Sequence, residues 1–247
     1  MKHRVLLGCL GVLLLQNTYA NNFFDKNQWS MSGNMTLASD YHWRGISMTN
    51  GDPAIQGGLQ LKHQKGIYAG VWASSSDIDN GSSIEADFMF GYRHAVNQNN
   101  ALTLQYIDIN YPGHTDSIKT NFEEYSVSLD NSSLFRQNDL LKTSIAFSPE
   151  YYNHSGHMWR FDSKYSFPVN QDFGLIAAIG ATKLEDHNAF LKVWGSDKKD
   201  HYYDWKFGLS SSLFNLYSEL YYADNSTINP NVSSMDPRVV FSVTKVF

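Results

Sequence analysis

The feature that most constrains this chain is a period-two alternation of apolar and polar side chains sustained along most of its length. Met31, Gly33, Met35, Leu37, Tyr41 and Trp43 fall on one face of an extended segment, and Ser32, Asn34, Thr36, Asp40, His42 and Arg44 fall on the other. Ile84, Ala86, Phe88, Phe90 and Tyr92 oppose Glu85, Asp87, Gly91 and Arg93. Trp159, Phe161, Tyr165 and Phe167 oppose Arg160, Asp162, Lys164 and Ser166, while Tyr203, Trp205, Phe207 and Leu209 oppose Asp204, Lys206 and Gly208. Successive side chains alternate across a strand but rotate by a 3.6 period in a helix, so charges at every second position exclude helices here.

The alternation predicts about twelve strands, near 31–43, 53–63, 66–75, 84–94, 101–111, 122–130, 140–148, 157–167, 173–183, 201–211, 214–223 and 237–247, with ten or fourteen also compatible. Most run nine residues or more, the length a tilted strand needs to cross a bilayer, whereas soluble strands average roughly five or six. Connections alternate in length. Long polar ones are expected at 44–52, 76–83, 112–121, 149–156, 184–200 and 224–236, and shorter ones at 64–65, 95–100, 131–139, 168–172 and 212–213. Long loops outside and tight turns inside are the habit of an outer-membrane barrel with its N-terminus in the periplasm. Prolines agree: Pro53 and Pro237 open strands, Pro112, Pro149 and Pro168 follow strand ends, and Pro230 lies in a loop. The fold expected is all-β, a closed antiparallel transmembrane β-barrel in one domain, 21–247. Strand 101–111 drifts in parity, since Leu102, Leu104 and Tyr106 continue as Asp108 and Asn110. A bulge near Tyr106 would restore it.

Residues 1–20 read as a cleaved signal peptide for the Sec pathway. Lys2, His3 and Arg4 precede an apolar run from Val5 to Leu15, and Thr18 and Ala20 stand at the −3 and −1 positions of a cut. The run is too short to span a membrane as a helix, which needs roughly twenty residues. Leu6-Leu7-Gly8-Cys9 also has the look of a lipobox, although Cys9 falls inside the apolar run. Cys9 is the only cysteine, so a mature chain has no thiol for a disulfide or a cysteine-bound metal. Taking Lys2 and Arg4 from the 19 basic residues leaves 17 against 24 acidic ones, which gives no electrostatic footprint for nucleic acid. Aromatics are 15% of the chain while the mean hydropathy is −0.39, a pairing that suits a thin apolar outer band around a polar lumen.

The last strand runs from Pro237 to Phe247, with Val239, Phe241, Val243 and the terminal Phe247 on one face. A terminal aromatic strand resembles the signal by which barrel-assembly machinery recognises its clients. Lys245 departs from the usual apolar residue, and near a membrane edge it can snorkel to the head groups. Two further runs are distinctive: Ser39-Asp40-Tyr41-His42-Trp43-Arg44-Gly45-Ile46-Ser47 with Pro53-Ala54-Ile55-Gln56-Gly57-Gly58, and Gly66-Ile67-Tyr68-Ala69-Gly70-Val71-Trp72-Ala73-Ser74. Together they resemble the TorF family of porins, also called the Gcw_chp family, of proteobacteria. The resemblance is concentrated in residues 31–94. It implies an outer-membrane location and a barrel more than any chemistry, and it carries over no catalytic residue.

Asp40, His42 and Arg44, with Glu85, Asp87, Arg93, Arg160, Asp162, Lys164, Asp204, Lys206, Glu219 and Arg238, are expected to face the lumen, because charge at membrane depth must meet water or a partner. For Asp40, His42 and Arg44 an internal ion-pair network that fixes register is the favoured reading, and a solute-selecting constriction is the sharper one. Both signs occur in similar number, so no sharp charge preference is expected. Tyr41, Trp43, Tyr92, Trp159, Phe167, Trp205 and Phe247 are expected at the interfacial girdles, together with Tyr106, Tyr111, Phe173 and Tyr222. A carbohydrate-stacking track inside the pore is the alternative. His154-Ser155-Gly156-His157 invites a lipid-acting barrel enzyme, but no lipase pattern surrounds it. Ser74–Gly81 lacks the ligand spacing of a calcium loop. The function expected is therefore a porin-like channel for passive diffusion of a small solute, with no enzymatic role, cofactor or metal. Expected partners are outer-membrane lipid, the assembly machinery and an unknown solute. A lipid-acting enzyme and a plugged barrel that adheres or senses through loops 184–200 and 224–236 are the alternatives.

Overall fold

In a closed sheet every backbone donor and acceptor is paired with a neighbouring strand, which lets strands cross lipid at all. The computed structural model describes residues 28–115, 119–196 and 199–247 of the chain and has this form. The expected leader at 1–20 lies outside the described residues. Twelve antiparallel strands close the wall. They are β1 (Trp29–Ala38), β4 (Ala54–His63), β5 (Ile67–Ser75), β6 (Ile84–Ala95), β7 (Asn100–Asn110), β8 (Phe122–Ser132), β9 (Leu140–Ser148), β10 (Met158–Pro168), β11 (Phe173–Leu184), β12 (His201–Leu213), β13 (Leu216–Asn225) and β14 (Arg238–Val246). Two more, β2 (His42–Trp43) and β3 (Ile46–Ser47), pair only with each other. The one α-helix among the described residues, α1 (His187–Trp194), is capped by Asp186, whose carboxylate accepts from the Ala189 amide at 2.8 Å.

Closure joins β1 to β14 from Asn34↔Val246 to Ala38↔Ser242. The terminal residue extends it, because Gly33 and Phe247 exchange backbone hydrogen bonds of 2.8 and 3.0 Å. The Phe247 ring lies over Gly33, where a Cβ would stand 2.5 Å from the ring edge, so glycine makes room for the terminal aromatic. Lys245 faces outward and donates to the Asn215 carbonyl at 3.2 Å, which carries its charge to the rim. Short connections gather with Phe247 at one end, the turn end, and long ones at the other, the loop end. Large apolar side chains such as Ile55, Phe88, Ile179 and Val239 are more than half exposed on the outer face, the reverse of a soluble core.

Two expectations are corrected. The first strand stops at Ala38 and does not reach 43, since the ladder to β14 ends where Ser39 bonds Phe241. The chain then turns into the barrel as the β2–β3 hairpin, with Arg44 and Gly45 at its tip at φ of 50° and 81°. Two positive φ values in a two-residue loop are the geometry of a primed hairpin turn. Gly45 is required for a second reason: a Cβ there would lie 2.7 Å from Asp204 Cβ on β12. In the second correction, β7 has no bulge near Tyr106, because its register against β6 and β8 is unbroken. Ile107 and Ile109 therefore point inward and Asp108 outward.

The inward isoleucines have company. Tyr41, Ile46, Met48, Tyr111, Phe122, Tyr151, Met158, Leu184, Phe190, Tyr202 and Ile228 are buried in one cluster at the loop end. The long loops, expected to be polar and external, fold their apolar residues into the mouth.

Candidate functional site

The polar face of the wall and the inward hairpin together build the site. Arg44 crosses from the hairpin tip to β8, where its two terminal nitrogens donate to the two oxygens of Glu124, each at 2.7 Å. Its guanidinium lies 4.1 Å from the centre of the Trp43 ring. Two wall contacts hold the backbone of the tip: Tyr202 donates to the Arg44 carbonyl at 3.2 Å and Asn225 to the Gly45 carbonyl at 2.8 Å. Asp40 fastens the base, accepting from Ser47 at 2.6 Å and Thr49 at 2.9 Å, with Arg238 3.9 Å away. Asp40, His42 and Arg44 thus lie within the lumen on an inward loop, where a strand-one wall position was expected.

The wall charges pair across strands. Arg93 binds Asp130 and, at 3.2 Å, Thr103. Arg160, almost fully buried, bridges Asp162, Asp204 and Thr182. Lys164 and Lys206 share Glu219 at 3.0 and 3.7 Å. Glu85 and Asp87 are buried side by side on β6, with Tyr41 donating to Glu85 at 3.0 Å. Sequence reasoning missed Glu124, Asp130 and Lys142. The signal was present, since Glu124, Ser126, Ser128 and Asp130 alternate with outward Tyr125, Val127 and Leu129.

His42 is a titratable group on the inward hairpin, next to its tip. Burial pushes its imidazole down from the ordinary 6.5 to about 4; Asp40 and Asp204 pull it up, while Lys206 and Arg238 push it further down. Between those pH values the released hairpin binds more protons than the packed one, so acidification favours release and stability of the packed form rises with pH. Ionic current through the barrel is expected to grow as the pH falls from about 6.5 toward about 4, the window that these two values bound. His42→Gln, which has no such proton to bind, should flatten the response. A wild-type current that does not change over this range would contradict the assignment.

Two cavities meet at Trp43, beside the tip. One of about 260 Å³ lies in the lumen against Glu85, Glu124, Lys142, Arg160, Lys164 and Lys206. The other, about 510 Å³, is a vestibule among the loops. Of the hairpin's strand residues that line the first cavity, Trp43 alone also lines the second.

The aromatics divide. Tyr41 and Trp43, expected at the girdle, line the interior, and Tyr111 is buried there too. Their alternation continues that of β1 only in sequence, because the chain has already left the wall. Tyr92, Trp159 and Phe247 are exposed on the outer face, and Phe167 and Trp205 share the outward parity of their strands. At the loop end Tyr106 donates to Glu123 at 3.0 Å and Tyr222 to Asp224 at 2.9 Å, pairing amphipathic rings with rim carboxylates.

No nucleophilic arrangement forms at 154–157. The Ser155 hydroxyl is buried with no hydrogen-bond partner, and His157 approaches Glu185 at 3.5 Å. Among the described residues there is no cluster of three metal-ligating side chains.

A family model described as a bacterial protein of unknown function (Gcw_chp) matches residues 25–247. No curated protein matches the chain. Among solved structures, the NanC porin in its rhombohedral crystal form is similar with a TM-score of 0.54 at 10% identity, over 88% of this chain and 98% of that one. The KdgM porin gives 0.54 at 7% identity over 87% and 99%. The KdgM porin in complex with disordered oligogalacturonate gives 0.54 at 8% identity over 88% and 99%. At these identities the likeness is one of fold.

Proposed function

The chain belongs to the Gcw_chp family, and we propose that it is an outer-membrane pore for passive diffusion of a small solute, narrowed by its own first loop. The observation that carries this reading is the closed barrel with a charged lumen cavity, separated from an external vestibule by one hairpin tip. In this reading residues 1–20 direct Sec export and 21–247 form the single barrel domain. The terminal strand is offered to the assembly machinery, and the apolar band meets outer-membrane lipid. Selection comes from lumen width and from weak contacts with paired charges, without energy input or cofactor. The lumen charges act mainly as the frame of the pore, and Arg44, Glu124 and Trp43 form its narrowest part.

Full-length protein refolded into planar bilayers should give discrete conductance steps, and the native protein should fractionate with outer membranes. A correctly folded barrel with no steps would overturn the pore. It would promote the second reading, a plugged barrel that senses or adheres, which the apolar cluster in the mouth favours. An enzymatic role draws no support from the arrangement at 154–157.

A further inference from the structure

The vestibule differs chemically from the lumen beneath it. Its volume of about 510 Å³ falls within the roughly 300–1,000 Å³ of small-molecule sites. Among the described residues neither lysine nor arginine lines it, although the lumen cavity has both. Its walls are the rings of Trp43, Tyr152 and Trp194, and amides and hydroxyls such as Asn50 and Ser233 surround them. Trp194 is held firmly. It ends α1, meets Tyr202 edge-on at 5.8 Å between centroids, and its carbonyl accepts from Asn229 at 2.9 Å. Yet its indole N–H is buried and has no acceptor. A buried donor without an acceptor is costly, and a ligand oxygen would relieve it.

We infer that the vestibule is a capture site for a neutral hydroxylated ring, a mono- or disaccharide, ahead of the hairpin. A sugar ring offers an apolar C–H face to aromatic walls, and hydroxyls that both accept from the indole and donate to amide and carboxylate oxygens. An anionic sugar finds no cation among the described lining residues. Among the described lining residues a cationic one meets Asp77 and Asp79, which are exposed and therefore screened. The inference deepens the pore reading and rests on it for the route beyond Trp43, but binding itself does not need an open pore.

Isothermal titration calorimetry on the full chain in detergent, with maltose, digalacturonate and glucosamine, tests it. Maltose should bind saturably, and the two charged probes at least ten-fold more weakly. Trp194→Ala should lose ten-fold or more. Trp194→Phe keeps an aromatic face, though a smaller one, and removes the donor, so it should lose several-fold even if the alanine variant misfolds. Absence of saturable maltose binding, equal or tighter binding of digalacturonate or glucosamine, or an unchanged affinity in both variants would overturn the inference. Conductance of the same preparation separates the two readings. Steps without maltose binding sink only the capture site, and maltose binding without steps sinks only the pore.

Discussion

Arg44→Ala is expected to raise single-channel conductance at least three-fold and to turn the pore toward cations. The guanidinium ties the hairpin tip to β8, and it supplies both donors that satisfy Glu124. Without it Glu124 loses its bidentate partner and stands with buried Glu85 and Asp87 around one cavity of the lumen. An uncompensated buried charge costs about 3–5 kcal/mol, and water entering around the tip is the simplest relief. The hairpin would retain Tyr202 and Asn225 as backbone holds, so partial release, with noisier current, is the form expected. Glu124→Gln separates charge from clamp: it weakens the pairing but removes a negative charge, so conductance should rise less and ion preference should move toward anions. Reversal potentials under a salt gradient read the preference. If Arg44→Ala conducts like the wild type, the tip is not the constriction.

The wall was legible because each strand must show lipid one face and the lumen the other. Residues such as Phe88 and Asp87 announce that geometry without help from tertiary contacts. Twelve strands and the inward direction of Arg160, Lys164 and Glu219 follow from parity alone. Parity loses its reference once the chain leaves the wall, which is why Tyr41 and Trp43, in step with Leu37, resemble girdle residues and yet line the interior. An Arg-Gly pair is a weak sign of a primed turn compared with Asn-Gly, so the β2–β3 hairpin left little trace. Ile107 and Ile109 read as a register fault because a lumen was assumed polar throughout. They are inward because Ile46, Met48, Phe190 and Ile228 arrive from loops without periodicity. The vestibule is illegible for the same reason, since its lining comes from several separate connections. Pairing across the lumen also escapes sequence, because it depends on which strands a long side chain can reach over.

Arg160 shows that dependence and carries the largest expected effect on stability. It sits on β10 and reaches past β11 to Asp204 on β12, passing over Gly180, where any Cβ would overlap the guanidinium. The side chain is 2% exposed, so its bonds to Asp204 and Thr182 form away from water. Asp162, at 41% exposure, contributes less because solvent screens it. Arg160→Met should therefore destabilise the barrel by about 3–5 kcal/mol, chiefly by leaving Asp204 without a partner. Gly180→Ala should reproduce part of that loss without altering any charge, since the guanidinium must move. Arg160→Met combined with Asp204→Asn should recover much of it, giving a coupling energy of about 1–3 kcal/mol. Urea unfolding in detergent, followed by the mobility difference between folded and unfolded barrel, measures the wild type and each variant, with Asp204→Asn alone completing the cycle. Additive losses in the double variant would mean that the pair is two independent charges, and the ion-pair account of the lumen would lose its strongest member.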